Sequence, residues 1–156
     1  MFYYIFDLDH TVIDSSHRQL TRADGSLDLA HWIENCSREK IFRDSLLPLA
    51  DQMRDLIARG RKVVICTARV MSDADYDFLR ANGIYTPWIL SREEGDRTAD
   101  AALKYRELQA FAYRQGMSWA RFARTSIVLD DNESVLAMAR MNGFRAYHPA
   151  RWNRAA

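Results

Sequence analysis

The chain has 156 residues, 48% of them hydrophobic, which suits one compact domain with its own core and leaves no low-complexity tract to suggest disorder. Its 22 basic and 21 acidic residues nearly cancel to a net charge of +1, so no overall field draws it to extended nucleic acid or to an anionic membrane. Cys36 and Cys66 lack metal-ligand spacing, the opening MFYYIF is too short and uncharged for a signal peptide, and no apolar run reaches the length of a membrane span; a soluble, cytoplasmic protein without a membrane partner is expected.

The first predicted element is FYYIFD at 2–7, a short apolar run rich in β-formers. Residues 16–45 follow, polar and with sparse apolar periodicity, and are expected to form a small insert, a lid or a substrate-facing segment. LPLADQMRDLIARG then places Leu49, Met53, Leu56 and Ile57 on one helical face and stops at Gly60. KVVIC at 62–66 reads as a buried strand, and DADYDFLRANG as a helix opened by Ser72 and stopped at Gly83. A weaker strand, YTPWIL at 85–90, precedes the helical TADAALKYRELQAFAYRQG, opened by Thr98 or Asp96 and running to Gly116. SIVLD at 126–130 is the third strong strand, NESVLAMARMNG a helix to Gly143, and FRAYH at 144–148 a second weak strand. This alternation predicts a three-layer α/β fold: an open, Rossmann-like parallel sheet with right-handed crossovers and helices on both faces. In such a sheet the 16–45 segment overhangs the carboxyl ends of the strands, where ligands bind.

Chemistry-bearing residues fall at those same ends. Asp7 and Asp9, with Thr11 completing an Asp-x-Asp-x-Thr pattern, directly follow the first strand, and Asp130 and Asp131 directly follow SIVL. Carboxylates gathered at one edge repel each other, and a bound hard cation removes that cost; oxygen-only ligation favours Mg²⁺, with Mn²⁺ as a substitute. Turn or helix capping explains a single aspartate equally well, and Asp131 or Asn132 is a candidate N-cap. KVVIC ends in Thr67, Ala68 and Arg69, a hydroxyl and a guanidinium suited to phosphoryl oxygens. Lys104, the only lysine after Lys62, either supplies a point charge to such a group or pairs with Asp100 one turn earlier on the helix surface.

The ordered set DLDHT, TAR, Lys104 and LDD resembles the four motifs of the haloacid dehalogenase-like (HAD) phosphohydrolase superfamily. Within it SREEGDRTADAALKYREL looks like the segment that carries the motif-three lysine in the 3′-phosphatase domain of phage-type polynucleotide kinase-phosphatases, with Arg92, Gly95 and Asp96 in matching places. The resemblance implies Asp7 as nucleophile, Asp9 as acid and then base, Thr67 and Lys104 as catalytic holders of the phosphoryl group, and Asp7, Asp9, Asp130 and Asp131 as the metal set. It also implies Thr11, Arg69 and Arg92 as substrate contacts, and a nucleic-acid 3′-phosphate as the leading phosphomonoester substrate. Thr-Ala-Arg stands where the relatives often have Ser-Gly-Arg, and no GxxxxGK[ST] is present, so no kinase partner domain is expected. Free nucleotides or other small phosphomonoesters are the alternative substrates. A receiver-like signalling module uses a similar set, but its acidic pair lies at the first strand and its phosphoacceptor at the third, the reverse of the order here.

Overall fold

The computed structural model of the chain describes residues 2–154. Its strands are β1 (Tyr3–Phe6), β2 (Ile13–Asp14), β3 (Ser45–Leu46), β4 (Lys62–Cys66), β5 (Ile89–Leu90), β6 (Ser126–Leu129) and β7 (Arg145–Tyr147). Five of them form one parallel sheet in the order β5-β4-β1-β6-β7, and β2 pairs antiparallel with β3 beside it. The register sets Phe6 opposite both Ile65 and Leu129. The next residue along each strand, Asp7, Cys66 and Asp130, therefore reaches the same edge.

Both faces of the sheet are apolar, as the continuous hydrophobic runs require. Tyr3, Ile5, Val64, Cys66 and Val128 point to one core with Leu108, Phe111, Phe122 and Leu136. Phe6, Val63, Ile65 and Leu129 point to the other with Leu49, Met53, Phe78 and Leu79. Fully buried side chains such as Phe6 and Phe111 each contribute about 1.5–3 kcal/mol of transfer free energy.

The helices are α1 (Leu29–Glu34), α2 (Arg38–Ile41), α3 (Leu49–Ala58), α4 (Asp73–Ala81), α5 (Asp100–Arg114), α6 (Trp119–Arg124), α7 (Glu133–Met141) and α8 (Ala150–Asn153). Ser72 opens α4 through a reciprocal capping box with Asp75. Helix α5 starts later than expected: Asp96 accepts from the N–H and hydroxyl of Thr98 and closes a turn in place of a cap. The strand expected over 85–90 shrinks to two residues because the Thr86 hydroxyl donates to the Val63 carbonyl and accepts from the Trp88 N–H, and Pro87 has no donor for a ladder. Four short helices went unpredicted, since four to six residues are too few to display a helical period; Asp28 caps α1, Ser37 caps α2 and Ser118 caps α6, while α8 follows Pro149 without a side-chain cap.

Residues 16–45 rise from the β2–β3 pair and lie against the main body. Ile41 is fully buried in the second core, the ring of Phe42 meets Phe78 edge-on at 5.8 Å, and Arg38 pairs with Asp77 of α4. No helix among the described residues is long and apolar enough to cross a membrane.

Candidate active site

The loop after β1 is wound tightly round one carbonyl: the N–H groups of Thr11, Val12 and Ile13 all donate to Leu8 O at 3.0–3.1 Å. Such a tight turn carries His10 into the left-handed region, with φ of 62°. Asp7 thus emerges at the strand end with both oxygens engaged. Its Oδ1 accepts from Lys104 Nζ at 2.8 Å and its Oδ2 from the Thr11 hydroxyl at 3.1 Å. Thr11 is wholly buried, and its hydroxyl orients Asp7.

Lys104, only 3% exposed on α5, bridges Asp7 to Asp130, whose Oδ2 lies 2.6 Å from the ammonium. The alternative pairing of Lys104 with Asp100 does not form, because Asp100 is taken by Arg92 at 3.0 Å. Asp130 Oδ1 accepts from the Asn132 N–H at 2.9 Å, and Asn132, not Asp131, caps α7. Asp131 is left to join Asp7 and Asp130 in a triad with one oxygen from each within 4.8 Å of the others.

Charge explains what this triad lacks. Burial, followed by the negative charge of Asp7, pushes both Asp130 and Asp131 up to about 7. Burial works to lower Lys104, but Asp7 and Asp130 outweigh it and hold the ammonium protonated well above its usual range. One lysine thus pairs with two of three neighbouring carboxylates, and their hard oxygen donors fit a divalent cation such as Mg²⁺. Cys66 sits beside the site but is inert, since burial pushes its thiol up to about 12.

The second half of the site surrounds Asp9. Arg69, 6% exposed, donates from Nε and Nη2 to the two oxygens of Asp9 and from Nη1 to Asp75 at 2.6 Å. Ser15 Oγ adds a hydrogen bond to Asp9 at 2.6 Å. Burial opposes ionisation of Asp9, but the charge and hydrogen bonds of Arg69, with Ser15, outweigh it and hold the carboxyl below its ordinary value. Asp9 is therefore braced by protein groups that favour its ionised form. Thr67 is buried in the loop after β4 and accepts from the Arg69 N–H at 3.0 Å, which leaves its own proton to donate.

Arg92 is brought near this loop but not into the triad. Its guanidinium donates to the carbonyls of Ala68, Asp96 and Thr98 and to Asp100, at 2.7–3.0 Å, so every nitrogen is spent bracing two loops. Sequence reasoning missed a buried pair beneath Arg69. Arg18, 1% exposed, grips Asp44 with Nε at 2.9 Å and Nη2 at 2.8 Å, while its guanidinium lies 4.1 Å over the ring of Trp32. Trp32 also faces Arg69 at 5.5 Å, and Arg69 Nη2 is 3.8 Å from Asp44, so the 16–45 segment abuts the support of Asp9. The ionic pattern carried no signal for this, since 26 residues separate Arg18 from Asp44.

Residues 1–155 match the family described as Bacteriophage T5 5′-deoxynucleotidase. The 5′-deoxynucleotidase of Escherichia phage T5 is 32% identical over 163 residues, an alignment that covers 90% of this chain and 64% of that protein. The chain thus spans somewhat less than two thirds of that relative. Among solved structures, a haloacid dehalogenase-like family hydrolase of Streptococcus pneumoniae superposes with a TM-score of 0.61 at 15% identity, covering 94% of this chain and 83% of that one. A chain of the Pnkp1/Rnl/Hen1 complex superposes with a TM-score of 0.64 at 21% identity, covering 94% and 44%. The match along almost the whole sequence and the shared architecture together make this chain a member of the bacteriophage T5 5′-deoxynucleotidase family, built on the haloacid dehalogenase-like fold.

Proposed function

We propose that the chain is a Mg²⁺-dependent phosphomonoesterase that forms an aspartyl-phosphate on Asp7 and removes the phosphate of deoxynucleoside 5′-monophosphates. The chemistry rests on one observation above the others: three carboxylates and a buried lysine share the sheet edge at Asp7. The substrate rests on the family match.

Asp7, Asp130 and Asp131, with the backbone carbonyl of Asp9, are the groups suited to hold Mg²⁺ or Mn²⁺, which when bound compensates the negative charge of the phosphoryl oxygens. Asp7 attacks phosphorus in line as the bond to the sugar oxygen breaks. Lys104 and the Thr67 hydroxyl hold the transferring group. Asp9 gives a proton to the departing alkoxide, and the arriving phosphate dianion favours that proton-bearing form by raising the carboxyl against the pull of Arg69. Asp9 then takes a proton from the water that attacks the aspartyl-phosphate, releasing inorganic phosphate and restoring Asp7. Arg69 positions Asp9 in this scheme and does not grip substrate.

A polynucleotide 3′-phosphate is the second reading, favoured by the SREEGD likeness alone. The arginine of that segment is consumed by its own loops, which moves the weight to the mononucleotide. Phosphate release with Mg²⁺ from deoxynucleoside 5′- and 3′-monophosphates, a 3′-phosphorylated oligonucleotide and p-nitrophenyl phosphate separates the two. The highest kcat/KM is expected for the 5′-monophosphates, and a higher value for the oligonucleotide would reverse the order. Asp7→Asn is expected to abolish release from every substrate, and full activity in that variant would remove the mechanism.

A further inference from the structure

An open cavity of about 360 Å³ lies between the loop after β1 and the C-terminal helix α8. Leu47, Pro149 and Ala150 give it an apolar lining, while His10, Asp14, Ser16, His148 and Arg154 supply polar groups. That mixture, an apolar surface with a few convergent donors and acceptors, is what a planar heteroaromatic ligand requires. Acceptors and donors are both on offer. Asp14 Oδ1 takes the N–H and hydroxyl of Ser16, and its second oxygen has no partner among the described residues. His148 Nδ1 accepts from the Ala150 N–H at 3.0 Å, which leaves Nε2 as the protonated, donating nitrogen.

The cavity borders the reacting edge at two places: His10 directly follows Asp9, and His148 directly follows Tyr147, whose carbonyl accepts from the Asp130 N–H at 3.4 Å. His10 lines it with a left-handed backbone, and its Nε2 lies 2.7 Å from Gln19 Oε1. The far wall is pinned as well: Asn153 donates to Thr11 O at 3.0 Å and accepts from the Leu49 N–H at 2.9 Å. Nothing in the mechanism above uses this space.

We infer that this cavity is the nucleoside subsite: the phosphate lies against Lys104 and the carboxylate triad while the base and sugar pass His10 and lie between Asp14, His148 and Arg154. The inference rests on the nucleotide reading of the site and adds to it where specificity is decided. A neutral nucleoside suits a pocket whose one carboxylate, Asp14, and one guanidinium, Arg154, balance each other.

Two variants test it. Ala150→Trp fills the cavity, and His148→Ala removes a donor from its wall. Each is expected to lower the ratio of kcat/KM for a deoxynucleoside 5′-monophosphate to that for p-nitrophenyl phosphate by about tenfold or more, the size of one lost specificity contact. Calorimetric binding of the phosphate-free deoxynucleoside to the whole chain is expected to weaken in parallel. A ratio and a nucleoside affinity both unchanged in Ala150→Trp would overturn the subsite while leaving the nucleotidase reading intact. Failure of the unaltered chain to hydrolyse any deoxynucleoside 5′-monophosphate would overturn that reading, and the subsite with it.

Discussion

Two aspartate environments at the same sheet edge respond to pH in opposite directions. Asp130 and Asp131 hold their protons more tightly in the fold than at the ordinary value of 3.8, so their contribution to stability is present at low pH and is lost as pH rises through about 7. Asp9 is shifted downward by Arg69, so its contribution is present above the ordinary value and is lost as pH falls below it. In a metal chelator the melting temperature is therefore expected to peak near pH 4, to fall on the alkaline side of that until it levels above about pH 7, and to fall on the acid side as Asp9 is protonated. Millimolar Mg²⁺ is expected to flatten the alkaline fall, because a cation among the carboxylates replaces the protons they lose. An alkaline slope indifferent to Mg²⁺ in thermal melts would count against a metal site in the triad. At the same scale Arg69→Ala leaves Asp9 and Asp75 as uncompensated buried charges, a change that costs about 3–5 kcal/mol. The exposed Arg38→Ala, which breaks only a surface pair with Asp77, is expected to leave the denaturation midpoint unmoved.

Elements differ in how they are held, and segment 16–45 has two distinct attachments. Helix α2 is fixed by apolar packing through Ile41 and by the Phe42–Phe78 contact. Helix α1 presents Leu29 and Ile33 to solvent and is tied inward through Trp32, which lies over the Arg18 and Arg69 guanidiniums. Arg18→Ala is expected to raise amide hydrogen exchange across α1 and the 16–28 stretch while β1, β4 and β6 keep their protection. Equal loss of protection in those strands would show that the segment is part of the global cooperative unit. The same elements mark how far sequence reasoning reaches. Strands β1, β4 and β6 announce themselves because burial on both faces demands unbroken apolar runs, and Asp7 and Asp130 follow as the residues just beyond them. Helices α1, α2 and α6 do not, being too short for periodicity. Nor does spacing tell whether an arginine's partner is a ligand or a carboxylate. Arg69, Arg92 and Thr11 have suitable chemistry for substrate, and the fold turns all three toward protein groups instead.

At the scale of the whole molecule, strand order decides which parts must cooperate. β1 comes first in the chain but lies at the centre of the sheet, paired with β4 on one side and β6 on the other. Asp7, Lys104 and the Asp130–Asp131 pair come from three distant stretches, so the full cluster exists only when β1, α5 and β6 are all in place. The Asn153 side chain extends this dependence to α8, since it bonds the Thr11 carbonyl from 142 positions away. The loop after β1 precedes α8 by well over a hundred residues, yet its Thr11 carbonyl gains this side-chain partner only once residue 153 is in place. A growing chain that has not yet released α8 therefore holds every motif while the loop that presents them still lacks this tie.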